Sequence, residues 1–354
     1  MNFYIKHFKG VAIEGGGVRN EAFYQYFRSV SSVIINDVSA TNIFFRILNA
    51  LKFSFYFRLR HADHIFMHMG GIFVLFPTFI FQTPLARLVF NFLGQISKNH
   101  NLHIEVNDLP YEQSRDLELP QQAFFQSFQR ELFKLKDVTF HFASFSMRDY
   151  VVRFYGLKEE QCKVLINGSD KLSEPGAPTV DLLKGLDADK LKYVYVGSLN
   201  RGRQIEDLIE IYAQAGHYLL LLGPGGEWID HDLQSKQIQN IKYLGTFTDQ
   251  VALQIASLCD MGVIPYDDSR FYYNICYPTK VSFYLAAGLP ILCTKLAETE
   301  QVLKGKNVAK FLDIHTWADF ISKSSREEHT ILKQNVLQHQ EYFYWSSILQ
   351  DLKL

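Results

Sequence analysis

Three segments of the chain space small, hydroxylated and cationic residues in a way that could grip a phosphate. The first, residues 196–203 (VGSLNRGR), follows an apolar run and precedes a helical pattern that starts near Gln204. A glycine turn between a strand and a helix aims free backbone N–H groups and the helix dipole at one point, which makes an anion site. Gly197 and Ser198 sit at that turn, and Arg201 and Arg203 would add bidentate donors, although arginines at a turn also serve as plain solvated surface. The second segment, residues 277–290 (YPTKVSFYLAAGLP), sets Tyr277 and Pro278 at a helix start with Thr279 and Lys280 in the first turn. A lysine there opposes the dipole, so an anion shared with the N–H groups is the better account of it. The third, residues 222–226 (LGPGG), turns at Gly223 after the run YLLLL, and a tight turn alone explains it equally well.

Elements that would carry these loops are legible as alternating apolar runs and helical patterns. Strands are expected at 32–38, 64–68, 102–106, 138–143, 163–166, 192–196, 218–222, 241–244, 261–264 and 290–293, most of them apolar without strict alternation. Such runs suit strands covered on both faces by helices. Helices are expected over 121–136, 147–155, 204–214, 250–259 and 280–287. The alternation predicts an α/β protein built from parallel βαβ units, with ligands beyond the carboxyl ends of the strands. A turn-rich stretch with two prolines at 168–189 separates two series of units. The expected organisation is a first domain over 1–170, a linker over 171–189, a second domain over 190–335 and a terminal helix over 336–354. In that last piece Tyr342, Trp345, Ile348 and Leu352 recur at helical steps, so the helix must cover something.

Composition narrows the class. The 354 residues are 47% hydrophobic, which supplies a large core and excludes disorder. Thirty-six Lys and Arg oppose 37 Asp and Glu, so no basic excess points to nucleic acid. Cys162, Cys259, Cys276 and Cys293 lie at least 17 residues apart, which fits a reducing cytosol better than a disulfide scaffold. The N-terminal residues lack the apolar core of a signal peptide, so a cytoplasmic location is expected. Twenty-three of the 30 Phe residues precede residue 151. Residues 41–60 (TNIFFRILNALKFSFYFRLR) mix Phe and Leu with Arg46, Lys52, Arg58 and Arg60, the signature of an interfacial helix at a membrane. A helix packed on a sheet with snorkelling arginines explains the same pattern. The apolar stretch 70–85 is shorter than a spanning helix and carries two prolines, so spanning is not expected.

The order VGSLNRGR, LLLLGPGGE, IKYLGTFTDQ, DMGVIPY and PTKVSFYLAAGLPIL resembles the nucleotide-sugar domain of GT-B glycosyltransferases. VLINGSD, just upstream, is similar to the NGVD segment that precedes that domain. The resemblance spans roughly residues 135–312, and PTKVSFYLAAGLP is similar to bacterial galactofuranosyl- and glucosyltransferases of surface-glycan assembly. It implies two Rossmann-like domains facing across a cleft, with the terminal helix crossing back to the first. It places Gly197 and Ser198 at the donor phosphates with Arg201 or Arg203, and Lys280 on the diphosphate. The turn Gly245, Thr246 and Phe247 would pass the base, and Pro265 and Tyr266 would border the sugar and ribose. Many retaining members carry two glutamates eight positions apart, and here those positions are Ile275 and Phe283. Glu298 and Glu300 are the nearest acids that could reach a ribose.

For the first domain the resemblance sets the glycine run Gly15, Gly16 and Gly17, with Arg19, in a loop beside the acceptor, where a plain turn fits as well. An inverting transfer needs a carboxylate to take the acceptor proton. Asp108, after the strand at 102–106, is the expected base, with Glu105 and Glu14 behind it, and Asp108 also suits an Asx-turn before Pro110. Neither half shows a metal-binding Asp-x-Asp in a strand-end loop, and no cofactor is expected beyond the nucleotide-sugar substrate. The expected activity moves a hexosyl unit, UDP-galactofuranose or UDP-glucose being typical donors, to a glycan or lipid-linked glycan acceptor. The rival is a non-catalytic GT-B subunit that partners another transferase, motivated by the missing glutamates.

Overall fold

The computed structural model describes residues 1–9, 15–120, 124–200 and 204–352, with the backbone alone at 15, 177 and 178. The chain divides into two units, Met1–Ile166 with Leu349–Leu354, and Asn167–Ile348.

The first unit is built on a six-stranded parallel sheet: β1 (Asn2–Lys6), β2 (Val33–Asp37), β3 (His64–His68), β4 (Asn101–Val106), β5 (Val138–Phe142) and β6 (Cys162–Val164), in the order β2-β1-β3-β4-β5-β6. The second has its own parallel sheet: β7 (Lys192–Val196), β8 (Tyr218–Leu222), β9 (Ile241–Gly245), β10 (Met261–Ile264), β11 (Ile291–Cys293) and β12 (Ala309–Phe311), in the order β12-β11-β10-β7-β8-β9. Helices lie between successive strands, as parallel pairing requires. Central strands are buried along their length; Leu219 to Leu222 are each 1% exposed or less. That is why YLLLL reads as a continuous apolar run.

Both sheets share one topological property. In the first, the chain runs from β1 out to β2 and then returns to β3 on the other side of β1. In the second it runs from β7 through β8 to β9 and returns to β10 beside β7. The strand order therefore reverses between β1 and β3, and again between β7 and β10. Loops leaving the carboxyl ends of those strand pairs diverge and leave a crevice.

Several expectations change in the structure. Strands β1 and β12 add to the expected set. The helix expected over 121–136 is Phe125–Leu132, with 121–123 outside the described residues. The expected linker over 171–189 lies within the second unit and contains the short helix Ala177–Asp181. It is tied down by Gln250, which donates to the Lys171 carbonyl at 3.2 Å, and by Gln254, which donates to that of Glu174 at 3.0 Å. The single terminal helix over 336–354 is broken. A helix at Arg326–His339 gives way to a 3-10 turn at Gln340–Phe343 and a last helix at Trp345–Gln350. The break lets the backbone pair elsewhere: Ser169 N donates to Phe343 O, and Trp345 N donates to Ser169 O, both at 2.9 Å. From Leu349 onward the chain counts with the first unit, where Tyr26 donates its hydroxyl proton to the Leu352 carbonyl at 3.0 Å.

Candidate functional site

In the second unit, the crevice between β7 and β10 gathers Gly197, Tyr266 and Lys280. Gly197 follows β7 with φ +140°, a conformation that L side chains rarely adopt, and it also keeps the space open. A Cβ on it would lie 2.8 Å from Lys280 Cε and closer still to Nζ, so the lysine ammonium rests directly on this backbone. Lys280 belongs to the helix Thr279–Ala286, started by Pro278 as its N-cap. Its Nζ donates to the Tyr266 hydroxyl at 3.2 Å and stands 5.0 Å from the Tyr195 ring centroid. Among the described residues it has no carboxylate partner. A half-buried cation held by two tyrosines and a bare backbone is arranged to meet an anion from outside.

Backbone bonds join the neighbouring loops. Gly197 N donates to Leu222 O at 2.9 Å, Leu199 N to Pro224 O at 2.8 Å and Gly223 N to Gly245 O at 2.9 Å. A Cβ on Gly223 would meet the Gly197 carbonyl, with the carbonyl carbon at 2.7 Å, and its φ is +139°. Only glycine lets these two loops touch. Trp228 donates its indole N–H to Leu199 O at 2.9 Å, and Tyr243 donates to Gly223 O at 3.1 Å, so both loops are braced from below. Thr294 holds the Tyr266 carbonyl at 2.5 Å.

The other expected donor residues fall as follows. Ser198 is half-buried, and its Oγ accepts from Asn200 Nδ2 at 3.0 Å. Gly245 ends β9 at φ +94°, followed by exposed Thr246 and half-buried Phe247. Pro265 is buried and Tyr266 half-buried. Tyr277 is a correction. Its ring is 2% exposed and its hydroxyl is engaged with Ser282 Oγ at 3.1 Å, and burial raises its pKa. Its carbonyl accepts from Asn167 at 2.7 Å and Ser282 donates to the Asn167 carbonyl, so this tyrosine anchors the helix rather than offering itself to a ligand. Glu298 is fully buried on the helix Ala297–Leu303, while Glu300 is exposed. Arg201 and Arg203 lie outside the described residues.

In the first unit, the crevice between β1 and β3 gathers His7 and His68, whose ring centroids are 5.1 Å apart. Neither is among the expected site residues: His7 follows β1, which is not among the expected strands, and His68 ends the strand expected at 64–68. Burial, and then His68, push the His7 pKa down to about 3, and its buried Nδ1 has no hydrogen-bond partner. The His68 Nδ1 meets Glu105 Oε2 at 2.8 Å, and its Nε2 meets the Tyr4 hydroxyl at 2.9 Å.

Glu105 and Arg19 are corrected by the same network. Arg19 is 0% and Glu105 is 1% exposed, and Arg19 Nε donates to Glu105 Oε1 at 2.6 Å. Arg19 also donates to the carbonyls of Leu165 and Ile166 at 2.8 and 3.2 Å. Burial would raise the Glu105 pKa, but Arg19 and then His68 overcome it and hold it at about 2. With both oxygens bound and the proton excluded, Glu105 is a structural anion, not a base, and Arg19 is not a loop residue facing an acceptor. The glycine run does not form a loop either, since the helix Gly15–Ser29 begins within it. Gly16 lies against β4's carboxyl end, where an added Cβ would sit 3.2 Å from Asn107 Nδ2. Asp108 is half-buried beside it and accepts from Asn107 Nδ2 at 2.8 Å. Gly17 begins that helix too, and Glu14 lies outside the described residues.

Residues 194–346 match the family model of the Glucosyltransferase 3-like, C-terminal domain. No curated protein matches the chain significantly in sequence. Among solved structures, sucrose-phosphate synthase from Thermosynechococcus elongatus superposes with a TM-score of 0.72 at 16% identity, covering 99% of this chain and 96% of that one. HepE of Anabaena in complex with UDP gives 0.68 at 14% identity, covering 99% and 98%. WaaG, a glycosyltransferase involved in lipopolysaccharide biosynthesis, gives 0.66 at 12%, covering 99% and 98%. The chain has the GT-B fold of these glycosyltransferases, and the part of it at residues 194–346 is similar to the Glucosyltransferase 3-like, C-terminal domain.

Proposed function

We propose that the chain is a glycosyltransferase that takes a UDP-linked hexose, such as UDP-glucose or UDP-galactofuranose, and transfers the hexosyl unit to a glycan or lipid-linked glycan in surface-polysaccharide synthesis. The observation that carries this reading is the Lys280 ammonium resting on Gly197 at the β7/β10 crevice without a carboxylate partner among the described residues. HepE, which shares the fold, has been seen with UDP and with UDP-glucose.

In this reading Lys280 and the N–H groups at the start of its helix receive the diphosphate, and Gly197 lets a phosphate approach the backbone. As the acceptor oxygen bonds to the anomeric carbon, the bond from that carbon to the diphosphate oxygen breaks. The charge that appears on the leaving group is met by Lys280 rather than by a metal ion. Asp108 takes the acceptor hydroxyl proton, and a single displacement inverts the anomeric centre.

The test is a thermal-shift panel of UDP, UDP-glucose, UDP-galactose, UDP-galactofuranose, UDP-N-acetylglucosamine and GDP-mannose, followed by product analysis with the donor that binds. Specific binding raises the unfolding temperature as ligand exceeds Kd. A shift with one nucleotide family and a transferred sugar support the proposal. Binding of none of them leaves the rival reading, a non-catalytic partner subunit.

A further inference from the structure

The helix Ile43–Leu59 has two apolar faces, and the fold covers one of them. Phe53 and Phe57, 2% and 3% exposed, pack inward against Phe3 and Phe92. On the opposite side Phe44, Ile47, Leu51, Phe55 and Leu59 recur at three- and four-residue steps and are 43% to 69% exposed. A helix that is apolar all round is normally buried all round, because each exposed apolar stripe costs free energy in water. The helix is 17 residues long, about one and a half times the average, and the stripe stands open along nearly all of it.

Its charge indicates what covers it. Between Asp37 and Glu105 the sequence contains six Lys and Arg but a single acid, Asp63. Asp63 is already paired with the N-terminal amine. Lys52 and Arg58 on the helix and Arg60 at its C-cap are exposed, and among the described residues none has a carboxylate partner. Arg46 differs: it points inward and donates to the carbonyls of Phe73, Val74 and Phe76, which fixes the helix to the segment beneath it. The adjacent helix Ala86–Asn99, in ring contact through Phe92, adds exposed Leu88 and Arg87. Arg58 and Arg60 lie over the rings of Phe92 and Tyr56, and apolar side chains flanked by cations without a carboxylate match a surface that is itself an apolar layer under anionic headgroups. No described helix is long and apolar enough to cross a bilayer, so the contact would be peripheral.

We propose that the outer face of the helix Ile43–Leu59 docks on an anionic lipid bilayer, with Phe44, Leu51 and Phe55 inserted among the acyl chains and Lys52 and Arg58 at the headgroups. This stands independently of the donor site.

The test is co-sedimentation of the full chain with phosphatidylcholine vesicles, with and without about 30% phosphatidylglycerol, an anionic fraction that attracts basic segments. The chain should pellet with the anionic vesicles and be released by salt. Phe44→Ser with Leu51→Ser and Phe55→Ser should weaken partitioning at least about tenfold, and Lys52→Glu with Arg58→Glu should remove the preference for anionic lipid. These are surface changes, so the UDP thermal shift and the circular dichroism spectrum should be retained, which separates loss of docking from loss of fold or of the donor site. Wild-type chain that stays in the supernatant with both vesicles overturns the proposal. So does a dimer seen by light scattering that the serine variants dissociate, since a second copy would then cover the face.

Discussion

The Nζ of Lys280 lies where a side chain on Gly197 would begin. The two residues are 83 positions apart, yet each makes sense only with the other: the glycine clears the space, and the lysine fills its edge with charge. Removing the charge without disturbing the helix is the direct experiment. Lys280→Ala should weaken UDP binding by roughly 10- to 100-fold, the worth of one charge-assisted hydrogen bond of about 1.5–3 kcal/mol. Calorimetric titration would read this, and an unchanged Kd would take Lys280 out of the donor site.

Gly223→Ala tests the loop contact from the other side. The added methyl group meets the Gly197 carbonyl and the backbone conformation is one that alanine rarely adopts. The conformation alone should cost about 1–3 kcal/mol. A lowered unfolding temperature with UDP affinity also reduced is expected; an unaltered melting curve would show that the two loops do not touch.

The buried pair in the first unit should behave differently from a surface ion pair. Glu105→Gln leaves the Arg19 guanidinium charged and enclosed, and the expected loss is about 3–5 kcal/mol in denaturant unfolding. Arg19→Met together with Glu105→Leu should recover much of it, because no charge then stays buried. If Glu105→Gln is as stable as the parent, the pair is not enclosed.

Protons should destabilise the fold in two successive windows. Burial first, with neighbouring cationic or imidazole groups, pushes His7 down to about 3 and His103 to about 4, and burial pushes His329 to about 4. The unfolded chain takes up those protons below about 6.5 while the native state refuses them, so stability should fall as pH drops from about 6.5 towards about 4. Glu105 has a depressed pKa of about 2, so its contribution is complete above the ordinary glutamate value and fades below it, towards pH 2. Unfolding temperatures recorded from pH 8 to pH 3 would check the sign, and a flat profile between 6.5 and 4 contradicts it.

Asp108→Asn should reduce turnover by about 10²–10⁴-fold while leaving UDP binding intact, the pattern of a lost general base. Retained turnover would move the base elsewhere, and His7, neutral and at the β1/β3 crevice, is the next residue to change.

Much of this architecture was legible because parallel strands buried on both faces write themselves as unbroken apolar runs. YLLLL and MGVI could be read directly as strands. NFYIK could not, since five residues with a lysine at the end carry little period, although they form the strand at the sheet's reversal point. That one omission also hid His7. Lys280 was legible because a cation in the first turn of a helix violates a local rule. Arg19 and Glu105 violate nothing locally; they meet across 86 residues, and only tertiary packing turns two candidate ligand contacts into a sealed ion pair. The burial of Tyr277 is hidden for a similar reason, since its partners at Asn167 and Ser282 close over it from a distant segment and from the helix that follows it.

The bracing of the β7 loop by Trp228 has a practical consequence. The chain has three tryptophans, and Trp317 and Trp345 are 0% and 6% exposed. Trp228 alone is half-exposed, and its indole is tethered to the Leu199 carbonyl, two residues from Gly197. Any ligand that rearranges that loop must change the surroundings of this indole, so a change at the β7 loop can be followed in the intrinsic emission of the unlabelled protein.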